Sequence, residues 1–376
     1  MKTVISIVLN NFKNDSRVLK ENISLKSAGY DVKVVALYED FLYEFDEVQG
    51  IPVHRIKLKS KNWSKNEIIQ VFKYFEFIYR VIKRYKTSDI LHCNDLNTLP
   101  IGVIIKKFFN KNVRIVYDAH EYEINDIPYE NKYKIKMKYF IEKYLIKHAD
   151  TVICVSDKIA DEYVRLYKIE KPDLVLNTPH YINLDKKNIF RETFGIDENK
   201  TIFLYQGALT LGRGIEVLLQ TFKEINNDKY IIVFMGYGIL EESIMRSSKK
   251  YKNIYFHKAV PSDILLNYTS SADFGISTIE DSCLSYRYCL PNKMFEYIMA
   301  DVPVIVSNLI EMKKIVNYYN VGIVVKNNTL DGVIDAVQNA QKLNKEEIQK
   351  NIQIVKEIYN WEEQEKVLLK LYERLY

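Results

Sequence analysis

"TIFLYQGALTLGRGIEVLL", residues 201–219, sets out one structural unit. It opens on "TIFLYQG" (201–207), an apolar run without alternation that reads as a strand buried on both faces. Gly207, Gly212 and Gly214 then interrupt the pattern, and helical spacing takes over across 213–225. A strand, a glycine loop and a helix form the first half of a βαβ unit. A helix that starts behind glycines turns free N–H groups and its positive end towards an anion, and Arg213 adds a charged fork at the same point.

The alternation repeats in both directions. Downstream, "YIIVFMG" (230–236), "NIYFH" (253–257), "DFGIS" (273–277), "VPVIVS" (302–307) and "VGIVV" (321–325) read as strands separated by helices. Three helices end the chain, the last with Asn360 as its N-cap. Upstream, strands are expected at 3–9, 31–37, 51–56, 89–93, 113–118 and 151–156, with helices at 16–28, 65–86, 96–108 and 131–148. The pattern pauses over 177–200, where "NTPHYINLDKK" reads as a linker. Two doubly wound parallel-sheet α/β domains follow, an N-terminal one over 1–178 and a C-terminal one over 179–360.

The 376 residues suffice for two cores, and 27% charged with 47% hydrophobic residues is ordinary for a folded chain. A net charge of +5 is too small to indicate nucleic acid, and it suits anionic nucleotides or an anionic membrane surface. The four cysteines show no C-x-x-C spacing, which favours reduced, structural thiols. "MKTVISIVLNN" lacks the features of a signal peptide, and no apolar run reaches the ~18 residues of a membrane span, so a cytoplasmic location is expected.

Ligands of such sheets bind beyond the carboxyl ends of the strands. After 230–235 comes "GYGILEE", where Gly236 and Gly238 admit close backbone approach. The third glycine of a dinucleotide fingerprint is Glu241 here, and the first strand is followed by "NNFKNDSRV", so a nicotinamide or flavin enzyme is disfavoured. After 273–277 come "TIEDSCLSYRYC", containing Glu280, and "LPNKMFEYIMADVPVI". Pro291 suits a helix start, N–H groups around Leu290, Asn292 and Lys293 would receive an anion, and Glu296 one turn on would accept both hydroxyls of a ribose. That is a nucleotide layout.

In order and spacing, "NDSRVLKENISLKSAGYDVKVVAL", "ILHCNDL", "IVYDAHEYE", "ADTVICVSDKIADEY", "YQGALTLGRGIEVLL", "MGYGILEE", "ADFGIST" and "LPNKMFEYIMADVPVIVS" resemble the retaining, nucleotide-sugar-dependent glycosyltransferases of family four, nearly end to end. The resemblance implies the GT-B fold, two Rossmann-like domains facing a central cleft, with the last helix, 361–376, returning to the N-terminal domain. It implies that Glu296 holds the ribose, that Arg213 neutralises the donor diphosphate, and that Gly207, Gly236 and Gly238 pass beside the nucleotide. His120 resembles the histidine near the reacting sugar, so His120, Arg213 and Lys293 are the expected catalytic groups. Glu280 would face the donor as well.

Three departures stand out. The signature's first glutamate, eight residues before Glu296, is Tyr288. The usual Gly-Arg is Gly207-Ala208, a missing cation that Lys293 compensates. The glycine-rich first loop is replaced by "NNFKNDSRV", so that Asn14, Asp15 and Arg17, with Asp118 and Glu121, would serve the acceptor side.

The resemblance further implies retention at the anomeric carbon, a nucleotide-diphosphate sugar as donor, no cofactor and no metal. The acceptor would be a hydroxyl of a glycan or lipid-linked molecule in bacterial surface polysaccharide synthesis. Segments 63–86 and 131–147 are basic and aromatic, compatible with peripheral contact at the inner face of the plasma membrane or with core helices whose lysines reach water. Lysines 132, 134, 136 and 138 do not share one helical face. A nucleotide-sugar epimerase or hydrolase on the same fold, and a non-catalytic nucleotide-sugar-binding protein, remain as alternatives.

Overall fold

Eight strands build the first sheet: β1 (Thr3–Ile7), β2 (Asp31–Leu37), β3 (Phe45–Val48), β4 (Ile51–Ile56), β5 (Ile90–Asn94), β6 (Arg114–Ala119), β7 (Thr151–Cys154) and β8 (Asp173–Leu174). Six build the second: β9 (Thr201–Ala208), β10 (Tyr230–Tyr237), β11 (Ile254–Lys258), β12 (Phe274–Ser277), β13 (Val304–Val306) and β14 (Gly322–Val324). The computed structural model describes all residues, Met1–Tyr376. The chain divides into one unit of Met1–Asn125, Glu130–Val175 and Glu365–Tyr376, and another of Asp126–Tyr129 and Leu176–Gln364. The main division therefore lies at Val175/Leu176 rather than at 178/179.

The first sheet has the order β3-β4-β2-β1-β5-β6-β7-β8, parallel except for β3 against β4. β1 is flanked by β2 and β5, with Ile7 opposite both Val35 and Cys93. The chain winds outwards from β1 in one direction and then in the other, which leaves a switch point beyond the carboxyl ends of β1 and β5. Gln49 and Gly50 have φ of 47° and 82°, the two left-handed positions of a tight hairpin turn, and they return β3 antiparallel onto β4. In the last helix, Tyr372 OH lies 2.8 Å from His92 Nδ1 within the first unit.

The second sheet is wholly parallel, in the order β11-β10-β9-β12-β13-β14, with its switch between β9 and β12. Its strands do not alternate because both faces are buried. Ile202 and Leu204 enter one core with Ile231 and Val233, while Phe203 and Tyr205 enter the other with Ile232 and Phe234. Each such aliphatic or phenyl side chain contributes about 1.5–3 kcal/mol by leaving water.

The expected linker over 177–200 contains a helix, Ile189–Phe194. Phe190 is fully buried against Tyr268 and His257, and Gly195 ends the helix in the left-handed conformation. Asn360 does cap the last helix, Trp361–Glu373, accepting from the Glu363 N–H at 2.9 Å. No helix is long and apolar enough to cross a membrane.

Candidate active site

In the second unit the functional side chains stand at the carboxyl ends of β9 and β12 and at the start of the helix Asn292–Met299. Pro291 is the N-cap of that helix, not its first turn, with extended backbone at φ −73° and ψ 138°. Its amide lacks a hydrogen, so the position cannot leave an N–H unsatisfied.

Glu296 is fixed by a chain of hydrogen bonds. Gln206, near the end of β9, donates from Nε2 to Glu296 Oε2 at 2.6 Å, and Thr269 donates to Gln206 Oε1 at 2.8 Å. The Gln206 N–H meets Tyr297 OH at 3.0 Å, and that hydroxyl lies 3.2 Å from the Ile276 carbonyl. The helix is thereby tied to two strands, and the half-buried carboxylate is held in one orientation.

Lys293 Nζ sits 3.8 Å from the centre of the Tyr205 ring and would lie 3.6 Å from a side chain at Gly207. Gly207 has φ +113°, a conformation that glycine supplies without strain. Burial and the nearby Arg213 push the Lys293 ammonium down to about 7, although Glu296 pulls the other way. The Arg213 guanidinium stacks on Tyr286 at 4.5 Å. Its buried Nε has no hydrogen-bond partner, nor have Thr278 Oγ1 and Ser282 Oγ, which border the Gly212–Gly214 turn. A buried polar group without a partner calls for an explanation, and a ligand group would supply one here.

Glu280 is half-buried and locks that turn in place. Its N–H donates to the Gly212 carbonyl at 3.0 Å, while its carboxylate accepts from the Gly214 N–H. Burial raises its pKa, reinforced by Glu216. Tyr288 is only 8% exposed, at the end of the short helix Leu284–Tyr288, whereas Leu290 is half-buried and Asn292 exposed. Gly236 and Gly238 have a reason nearer than a ligand. A side chain on Gly236 would lie 1.9 Å from the Gly207 carbonyl of the adjoining strand, and one on Gly238 2.4 Å from that of Leu209.

The first unit gathers charge between the helix Ser16–Ser27 and the strands β5 and β6. Arg17 donates to both oxygens of Asp118, at 2.8 and 2.9 Å, and to the Val175 carbonyl at 2.7 Å, and it lies 3.1 Å from Glu21. His92 Nε2 is 3.7 Å from Glu21 and 3.6 Å from Asp118. Burial alone would raise Asp118, but Arg17 and His120 outweigh it and hold the carboxyl well below the usual range. Glu21 is pushed up by burial to about 7 despite Arg17. Glu21, His92 and Asp118 bring ligand-type atoms within 4.8 Å of one another, and the Arg17 guanidinium supplies the positive charge among them.

His120 follows directly on β6 and is 19% exposed. Its Nε2 lies 3.0 Å from Asp118 and its Nδ1 3.5 Å from Asp95. Burial opposes its charge, but the two carboxylates outweigh burial and push it up to about 10. Asp95, just after β5, has φ +64°, a left-handed conformation that a short polar side chain tolerates.

Two of the acceptor-side expectations, Arg17 and Asp118, need correction. Arg17 is 4% exposed and Asp118 fully buried, because each neutralises the other; neither presents a group to a substrate. Asp15 caps the helix Ser16–Ser27, accepting from the Val18 N–H, and also accepts from Asn10 at 2.9 Å. Asn14 and Glu121 lie at the surface. The sequence reading passed over Gln206, Thr269, Tyr205, Tyr286 and Asp95. A polar Gln206 at the end of an otherwise apolar strand was the one local signal for the first of these.

Residues 23–177 match the family Glycosyltransferase Family 4, and residues 218–362 match the Glucosyltransferase 3-like, C-terminal domain family. The chain is 24% identical over 279 residues to "Uncharacterized glycosyltransferase MJ1607" of Methanocaldococcus jannaschii, spanning 67% of this chain and 69% of that protein. It is 22% identical over 246 residues to the O-antigen biosynthesis glycosyltransferase WclY of Escherichia coli, spanning 60% of this chain and 62% of WclY.

Among solved structures, sucrose-phosphate synthase of Thermosynechococcus elongatus superposes with a TM-score of 0.80 at 16% identity, over 100% of this chain and 99% of that one. Anabaena HepE in complex with UDP-glucose gives 0.75 at 12% identity, over 100% and 99%. The two doubly wound parallel-sheet domains have the GT-B fold of these structures. The chain is a GT-B glycosyltransferase whose residues 23–177 match the Glycosyltransferase Family 4 model.

Proposed function

We infer that the protein transfers a sugar from a nucleoside-diphosphate sugar, with retention at the anomeric carbon and without a metal, to a hydroxyl of a glycan or lipid-linked acceptor in surface polysaccharide synthesis. The observation that carries this reading is the set Gln206–Glu296–Lys293–Arg213: a carboxylate fixed for a ribose, one helical turn from a lysine and near an arginine whose Nε has no partner. HepE is known in complex with UDP and with UDP-glucose, and WclY acts in O-antigen biosynthesis, which supports the donor and acceptor classes.

In the proposed step the bond from the anomeric carbon to the diphosphate oxygen breaks. The acceptor oxygen bonds to that carbon on the same face, and its proton passes to the departing phosphate. Lys293, Arg213 and the first N–H groups of the helix Asn292–Met299 are preorganised for the charge that develops on the diphosphate. His120 is protonated at neutral pH and faces carboxylates from both nitrogens, so it serves as a cation and hydrogen-bond donor, not as a base.

A thermal-shift screen against UDP, GDP, ADP and CMP sugars identifies the donor, and NMR of the product reads its anomeric configuration. Stabilisation by one nucleotide class, a retained anomer and unchanged turnover after dialysis against a chelator are expected. No shift with any nucleotide would overturn the site, and epimerised donor in the absence of acceptor would overturn the transferase.

A further inference from the structure

Two helices of the first unit turn a full apolar stripe to the outside. On the helix Glu67–Tyr85, Ile68, Val71, Phe72, Phe75 and Tyr79 recur at spacings of three and four and are 52–67% exposed, while Phe77, Ile78 and Val81 face the core. On the helix Lys132–Leu145, Tyr133, Met137, Phe140, Ile141 and Tyr144 repeat the spacing at 41–84% exposure. Both helices pack against the helix Leu99–Phe108. Lys134 Nζ, 3.3 Å from Glu67, joins their N-terminal ends, and Lys107 Nζ reaches Tyr144 OH at 2.6 Å. Scattered exposed apolar residues are ordinary, but two stripes in one layer are not.

The same layer holds the chain's positive charge. Segments 65–86 and 131–147 carry twelve lysines and arginines against three glutamates, whereas the rest of the chain has 42 basic and 46 acidic residues. Glu142, the acidic residue of the second stripe's helix, is turned inwards, accepting from Tyr117, Tyr163 and Tyr167 at 2.5–2.6 Å. Glu76 is occupied by Ser60 and Arg80. Lys134 and Lys136 fall on opposite sides of the second stripe, and Lys83 and Lys86 close the end of the first.

We propose that this layer docks the protein on an anionic bilayer surface, with the aromatic and aliphatic stripes at the headgroup–acyl boundary and the lysines on lipid phosphates. A second copy of the chain does not fit, because a two-fold contact through this layer would set two clusters of like charge against each other. The surface deepens the transferase reading and rests on it only in bringing the enzyme to a lipid-borne acceptor.

The test is co-sedimentation of the full chain with phosphatidylcholine vesicles and with mixed phosphatidylcholine–phosphatidylglycerol vesicles. The protein should pellet with the mixed vesicles, and added salt should release much of it. A Phe72→Ser/Phe75→Ser variant and a Lys134→Glu/Lys136→Glu variant should each partition roughly tenfold less, with unchanged circular dichroism and nucleotide affinity. Failure to bind anionic vesicles, or binding that neither variant weakens, would overturn the proposal. So would a dimer in sedimentation velocity that these variants dissociate, since the layer would then join two chains. Vesicle binding without sugar transfer would leave the surface standing and count against the transferase. Transfer to a water-soluble acceptor without vesicle binding would do the reverse.

Discussion

Exchanging Lys293 for methionine tests the donor site through a proton. In the free protein, burial and Arg213 push the Lys293 ammonium down to about 7 from its ordinary 10.5. A diphosphate placed against it restores the charged form. At about pH 8, a lysine of pKa about 7 is ~10% protonated and one near ~10.4 almost fully so; binding therefore takes up roughly 0.9 proton, falling to ~0.1 near pH 6. Calorimetric titration with the nucleoside diphosphate in two buffers of different ionisation enthalpy reads this number directly.

Lys293→Met keeps most of the stem against Tyr205 and removes the titrating group, so the uptake should vanish. Affinity should fall by about 1.5–3 kcal/mol, the range of one hydrogen bond to a charged group. Stability carries the same signature. Between about 7 and 10.5 the unfolded chain holds more protons on this residue than the folded one, so the free protein gains stability as pH rises through that window. The methionine variant should lose that slope. Wild-type uptake near zero at pH 8, or uptake that survives in the variant, would refute the placement of the diphosphate beside Lys293.

Glu296→Ala should weaken nucleotide binding about tenfold or more, and Gln206→Leu should reproduce part of that loss by releasing the carboxylate from its 2.6 Å tether; calorimetry on both decides. Gly275→Ala would place a methyl group 2.1 Å from the Tyr297 ring, which is fully buried and bonded to the Gln206 N–H. Because the ring cannot move without breaking those bonds, a loss of about 1–3 kcal/mol should appear in denaturant unfolding. Arg17→Met strips the counter-ion from buried Asp118 and Glu21 and should cost about 3–5 kcal/mol near neutral pH. Asp118, held low in the folded state, contributes stability above its unfolded value near 3.8 that is lost as pH falls below it. The gap between wild type and variant, followed by urea midpoints, should therefore narrow in acid.

How much of this was legible follows from what local pattern can encode. Strands buried on both faces announce themselves as unbroken apolar runs, so β1, β9 and β10 and the winding they imply came from the sequence. β3 did not, because "FDEV" is a half-exposed edge with no apolar run; its local signal was the Gln49–Gly50 turn. Arg213 could be read as a candidate because it lies in the loop after β9, and Lys293 and Glu296 because they open a helix in the segment after β12, on the side of the sheet where the fold puts ligands. Gln206 acts through Thr269 and Glu296, 63 and 90 positions away, and no spacing rule connects them. The Arg17–Asp118 pair spans 101 positions, and two such residues, one at the start of a helix and one at the end of a strand, read as free polar groups until they are seen to neutralise each other.

The outer stripes expose a deeper ambiguity. Phe77, Ile78 and Val81 bury one face of the helix Glu67–Tyr85 and Phe72, Phe75 and Tyr79 cover the adjoining one, so apolar surface runs on from the core to the outside, with Lys73, Glu76 and Arg80 on the remaining side. Periodicity reports that apolar residues share a face, but it cannot say what that face meets. A sequence therefore encodes a core and a docking surface in the same letters. Only the packing beneath this helix, by taking up one of its apolar faces, shows that the other stays exposed.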